Sequence, residues 1–305
     1  MKINKIALYI FLSLPFFWAC EDVITLNLNK STPIFTVDAF ISQEVAKQTI
    51  RLSTTAPYFQ NQPTPPVSGA EVSVTNTSDG KTFIFNDKGN GIYEYVSPNS
   101  TPIGRIGNNY LLSVRHNGEE YTSRCTSSRT AIIDSIVYEF EEKAANNTNE
   151  KTGYYAQFYG FDVKGGVDFY WARGYKNGLF NSNPNDVNYI ADATRNFAPG
   201  VQGSDGLPFI APVRDRMTNG LDPFQVGDSA VVELWSINEE TYEFLRQAES
   251  QMTNGGLFAR IPENVRTNIT ARNPNSKVLG WFCVSEINRR GLKIKQLEKG
   301  KKGKG

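Results

Sequence analysis

The chain has 305 residues, with 32 Lys plus Arg against 31 Asp plus Glu. That balance excludes an overall bias toward nucleic acid or another polyanion, and the length allows one large domain or two medium ones. Aromatic residues make up 12% of the chain, and short alternating segments recur between Asn-, Ser- and Gly-rich turns, which points to β-structure.

Lys2 and Lys5 precede an apolar run from Ile6 to Trp18 that ends at Ala19-Cys20. A basic region, a short apolar region and a small residue follow one another in a secretory signal. The run is shorter than the about 20 apolar residues of a membrane-spanning helix, and Glu21 and Asp22 end it at once. A small residue followed by cysteine at this point resembles a bacterial lipobox, although Phe17 and Trp18 stand where a strict lipobox has Leu and a small residue. The expectation is cleavage before Cys20 and acylation of its thiol. Each buried methylene contributes about 0.8 kcal/mol, so several acyl chains would hold the protein to membrane lipid. Residues 1–20 are therefore read as signal peptide and lipobox, and residues 21–33 as a polar spacer.

Residues 34–130 read as a β-sandwich. Strands are expected at Phe35 to Ile41 and Thr49 to Ser53. Pro57, Pro63, Pro65 and Pro66 then remove ladder donors, so 57–69 is an exposed loop. Its aromatic residues, Tyr58 and Phe59, either tuck back onto the sheet or offer a contact to a ligand or partner. Further strands follow at Ala70 to Asn76, Thr82 to Phe85, Ile92 to Val96, Tyr110 to Val114 and Glu120 to Ser123. The last two are joined across Asn117-Gly118, a hairpin signal because both turn positions need positive φ. This density of short strands implies an immunoglobulin-like or prealbumin-like sandwich.

Residues 131–290 read as a second β-rich region with one helix. Strands are expected at 132–140, Tyr154 to Val163, Val167 to Tyr175, Ala230 to Trp235 and Lys277 to Ile287. The Asn-, Asp-, Gly- and Pro-rich stretch 181–228 is either a functional loop region or holds strands without a visible pattern. Ser236 and Glu239 match a capping box. Tyr242, Leu245, Ala248 and Met252 recur at helical spacing, read as core packing, and Asn254-Gly255-Gly256 stops the helix, predicted over 237–252. Residues 291–305 are basic and Gly-rich and read as a flexible tail.

Few residues are spaced as a known catalytic or metal motif would need. The single histidine, His116, lies in a hairpin turn, where it is expected to be solvated, and zinc would need about four Cys or His ligands. Asp186, Asp192, Asp205, Asp215, Asp222 and Asp228 crowd one stretch but follow no calcium-loop spacing. No phosphate loop or nucleophile elbow is present. The expectation is a protein with no catalytic residues, no metal and no cofactor. Cys125 and Cys283 are either a disulfide, in keeping with an oxidising export compartment, or two buried thiols. The aromatic residues of 154–180 are either core and cross-strand pairs, or in part an outer face that contacts a sugar, peptide or protein.

Several short segments, in this order along the chain, resemble one family. They are Cys20-Glu21-Asp22-Val23-Ile24-Thr25-Leu26, the strand Phe35 to Ser42, Ala56-Pro57-Tyr58-Phe59, Pro66 to Val72, Gly91-Ile92-Tyr93, Tyr121-Thr122-Ser123, Ile133 to Ile136, Gly227-Asp228-Ser229 and Gly280-Trp281-Phe282. They resemble the Bacteroidetes lipoproteins grouped as domain-of-unknown-function family 4249. The resemblance implies an outer-membrane lipoprotein that accompanies a TonB-dependent β-barrel transporter, as a non-catalytic binding or accessory subunit for nutrient uptake. The segment Val67 to Val114 also looks like a carboxypeptidase regulatory-like sandwich. Glu21-Asp22 is similar to the surface-export signals of such lipoproteins, which would place the protein on the cell surface. Two other classes stand beside this expectation: a surface hydrolase acting on glycan or peptide, and an adhesin.

Overall fold

The computed structural model describes residues 32–56, 63–98, 100–144, 151–183, 188–191, 205–209, 217, 222–254, 265–298 and 300–305. Alternation of apolar and polar residues builds the first strands. β1 (Phe35–Ser42) turns Val37, Ala39 and Ile41 inward, and β2 (Gln48–Thr54) turns Ile50 and Leu52 inward. β3 (Glu71–Asn76), β4 (Lys81–Asp87) and β5 (Ile92–Tyr95) add Val72, Val74, Phe85 and Tyr93. β6 (Asn109–His116) and β7 (Glu119–Thr126) form the expected hairpin. Its turn residues Asn117 and Gly118 have φ of 49° and 79°, the left-handed pair that a tight hairpin requires.

The sheet is completed from far along the chain. β15 (Val278–Ser285) pairs in parallel with β1 over its whole length, and β14 (Thr270–Ala271) pairs with β7, giving the order β14-β7-β6-β3-β4-β5-β2-β1-β15. Gly280 makes the parallel pairing feasible: its φ is 115°, and a Cβ here would run into the Val37 carbonyl. Side chains bridge β7 and β15. Asn268 Oδ1 accepts from the Phe282 N–H at 2.9 Å while its Nδ2 donates to the Phe282 carbonyl at 2.8 Å. Ser123 Oγ donates to the Asn268 carbonyl at 2.8 Å, and the Val284 N–H donates to Cys125 Sγ at 3.4 Å. Backbone groups that would otherwise be orphaned are thereby paired.

β8 (Ile132–Glu141) and β9 (Gly153–Phe161) pair around a bulge between Ile133 and Ser135. A further sheet comprises β10 (Phe169–Lys176), β11 (Leu179–Phe180), β12 (Asn188–Ala191), β13 (Ser229–Ile237) and β16 (Ile287–Lys293), in the order β11-β10-β13-β16 with β12 also on β10. Ile136, Phe158, Tyr170, Val232, Leu234 and Phe224 are central to the second core. Residues Pro33–Gly305 form one compact unit with these two cores. The fold is mainly β and β-sandwich-like, with one α-helix among the described residues.

That helix, α1 (Glu239–Met252), starts later than the capping-box reading places it. Asn238 is the cap, its Oδ1 accepting from the Thr241 N–H at 2.9 Å, while Ser236 lies in β13 and its Oγ accepts from the Glu286 N–H. The C-terminal segment also differs from the expected flexible tail: β17 (Lys302–Lys304) pairs with β8. Gly303 lets that strand lie against the Tyr138 ring, and Lys302–Glu139 and Lys304–Asp134 ion pairs offset the basic charge that suggested disorder.

Candidate functional site

Strand alternation gives β10 two faces of different character. Tyr170 and Ala172 enter the second core, while Trp171, Arg173 and Tyr175 point the other way. On that face the register sets Trp235 opposite Trp171, and Glu233 opposite Arg173 on one side and Arg289 on the other. Glu233 is only 4% exposed. Its carboxylate accepts from Tyr175 Oη at 2.8 Å, Trp235 Nε1 at 2.7 Å and Arg289 Nε at 2.7 Å. Burial, with the Glu233 carboxylate behind it, pushes the Tyr175 phenol well above its usual range, so the hydroxyl remains a donor. The Arg173 guanidinium lies over the rings of Trp171, Phe180 and Trp235 at 4.8, 4.6 and 4.5 Å from their centroids.

Beside this layer is a cavity of about 260 Å³. Its walls include Asp38 and Phe40 from β1, Trp171 and Phe180 from β10 and β11, and Phe244 and Met252 from α1. Phe40 meets Trp171 edge-on at 5.3 Å, and Trp171 meets Phe180 perpendicularly at 6.2 Å. Phe244 stacks on Trp281 at 4.5 Å, and the Trp281 indole N–H donates to Thr241 Oγ1, which fixes the helix against β15. Asp38 sits between Arg51 and Trp281 in the sheet register. It is exposed toward the cavity but closely crowded by protein. Burial pushes its carboxyl pKa up, and the Arg51 and Arg173 charges offset this only in part. Among the described residues, none donates a hydrogen bond or forms an ion pair with it.

The helical stripe predicted as core packing therefore has two jobs. Tyr242 packs on Phe169 at 5.3 Å, while Leu245, though buried, lines the cavity together with Ala248 and Met252, the last 55% exposed. The aromatic set of 154–180 divides the same way: Tyr154, Phe158, Phe169 and Tyr170 are core, while Trp171 and Phe180 wall the cavity. Asp38 carried no sequence signal beyond its place in a strand.

Other residues singled out from the sequence are placed elsewhere. Cys20, Tyr58 and Phe59 lie outside the described residues, as do Asp186, Asp192 and Asp215. Asp205 accepts from the Gly165 N–H, Asp222 pairs with Lys176, and Asp228 holds Asn177 and the Gln225 N–H, so these three fix loops. Cys125 and Cys283 are buried free thiols brought together across β7 and β15. A hydrogen bond with Cys283, together with burial, pushes the Cys125 thiol well up. His116 is half-buried rather than solvated, stacked on Phe35 at 5.9 Å. Among the described residues no group of three or more His, Cys, Asp or Glu is placed to hold a metal ion, and no helix is long and apolar enough to cross a membrane.

Fold and cavity together define a β-sandwich-like protein with a ligand-sized aromatic recess where two sheets and a helix meet. The chain belongs to the family described as Domain of unknown function (DUF4249), whose model matches residues 21–290. No curated protein matches it. Among solved structures it is similar to the crystal structure of Dpr11 IG1 bound to DIP-gamma IG+IG2, at 10% identity and a TM-score of 0.18, over 83% of this chain and 100% of that one.

Proposed function

We propose that this protein is a lipid-anchored, non-catalytic binding subunit of the outer membrane that works beside a TonB-dependent β-barrel transporter in nutrient uptake. The observation that carries the binding half is the cavity: an aromatic-walled space of about 260 Å³ with one carboxylate turned into it. Apolar walls with few polar groups are the usual make-up of a small-molecule site. The anchoring half is supported by the short apolar run ending at Ala19-Cys20. The transporter and the outer membrane are supported by the family resemblance alone.

Two experiments test these halves. Cys20→Ser should release the protein from the membrane fraction and remove the acyl mass from the N-terminal peptide; equal membrane association of both unlipidated forms would refute the anchor. Deleting the gene and comparing uptake of iron chelates, oligosaccharides, peptides and small amines should reveal a defect in one class. Unchanged growth on every such nutrient would refute the uptake role.

A further inference from the structure

We infer that the cavity takes a small organic ammonium, with its charge facing Asp38 and its alkyl groups against the rings of Phe40, Trp171, Phe180 and Phe244. This rests on the binding reading above and adds the chemistry of the ligand. Three observations lead to it. The Asp38 carboxylate faces the cavity and, among the described residues, has no hydrogen-bond donor of its own. The walls around it are mainly apolar, with the rings of Phe40, Trp171, Phe180 and Phe244 and the soft thioether of Met252 beside the polar segment Asn181, Ser182 and Asn183, and rings and thioether attract a weakly hydrated cation. The volume, about 260 Å³, suits a small molecule rather than a folded segment.

Charge complementarity decides between a cation and a neutral apolar ligand. Rings alone would accept either. A carboxylate that has given up part of its hydration gains most from a cation or a strong donor. Two cations act on Asp38 from nearby, Arg51 across the sheet and Arg173, but among the described residues neither forms an ion pair or hydrogen bond with it, and Arg173 lies instead over Trp171, Phe180 and Trp235.

The test is calorimetric titration of the purified full chain with tetramethylammonium, choline and benzyltrimethylammonium, and with 3,3-dimethylbutan-1-ol, the uncharged isostere of choline. At least one ammonium should bind saturably, and choline should bind at least about tenfold more tightly than its isostere. Asp38→Asn should remove that preference while far-UV circular dichroism stays unchanged. Phe40→Leu keeps the carboxylate and an apolar wall but removes the ring. It should weaken choline several-fold while leaving the neutral alcohol unchanged. Equal affinity for choline and its isostere would end the inference of a cation but leave a binding cavity. No saturable binding of any of the three ammonium ions, or an unchanged preference in both variants, would also overturn it. None of these outcomes bears on membrane anchoring or on a transporter partner, which are read by fractionation and co-purification.

Discussion

Replacing Glu233 with Ala removes one acceptor that three donors share. Tyr175 Oη and Trp235 Nε1 would each lose the acceptor that Glu233 provides. A donor left buried and unpaired costs about 1–3 kcal/mol. Arg289 is 49% exposed, so solvent screens the loss of its pair, which adds about 0–1 kcal/mol. The expected destabilisation is therefore about 4 kcal/mol, a large part of the ordinary stability of a domain. Glu233→Gln keeps the shape and one carbonyl acceptor and should cost about 1–2 kcal/mol. Urea unfolding followed by tryptophan fluorescence measures both. Trp235 emission should also shift to the red in the Ala variant, because its indole would turn toward water. An Ala variant within about 0.5 kcal/mol of the parent would mean that the carboxylate does not organise the Trp171–Arg173–Trp235 layer beside the cavity.

Asn268→Ala should lose about 2–4 kcal/mol in the same assay, because the Phe282 N–H and carbonyl both lose their partner; a change below about 0.5 kcal/mol would mean that other groups bridge β7 and β15. Gly280→Ala should be the more damaging change, about 3 kcal/mol or more, since it adds strain at positive φ and forces β15 off β1; wild-type stability would show that the strand pair relaxes. Asp38→Asn should raise Tm at pH 7. The folded protein holds the Asp38 proton more tightly than the unfolded chain, so stability falls as the pH rises from 3.8 through the raised folded pKa, the penalty is complete above it, and Asn abolishes that penalty. Well below pH 3.8, where both states are protonated, the gain should vanish; a lower Tm at pH 7 would refute the desolvation of this carboxylate.

Much of the fold is legible in residues that act locally. The alternation in Phe35 to Ile41 and in Ala70 to Asn76 assigns both strands and their inward faces. Asn117-Gly118 fixes a hairpin and its register, and the spacing of Tyr242, Leu245, Ala248 and Met252 marks the helix. Pairing between distant segments leaves no such trace. A period of two tells which way Val37 points but not that β15, from the far end of the chain, lies beside it. Gly280 is an ordinary glycine until the Val37 carbonyl is seen next to it. β16 was hidden because Asn288, Arg289 and Arg290 show no apolar alternation, and Arg289 belongs there because Glu233 awaits it on the neighbouring strand. The cavity was hidden for the same reason. Its walls come from β1, β10, β11, residues 181–183 and α1, and Asp38 lines it only when these converge.

The proposed role, an accessory subunit of an outer-membrane uptake complex, is tested most directly by affinity purification from solubilised outer membranes. Tagged wild-type protein should retain a β-barrel transporter in stoichiometric amount, identified by mass spectrometry, and Cys20→Ser protein expressed at the same level should retain far less. Wild-type protein recovered from the membrane as a monomer, with no barrel in crosslinked or native preparations, would contradict the account.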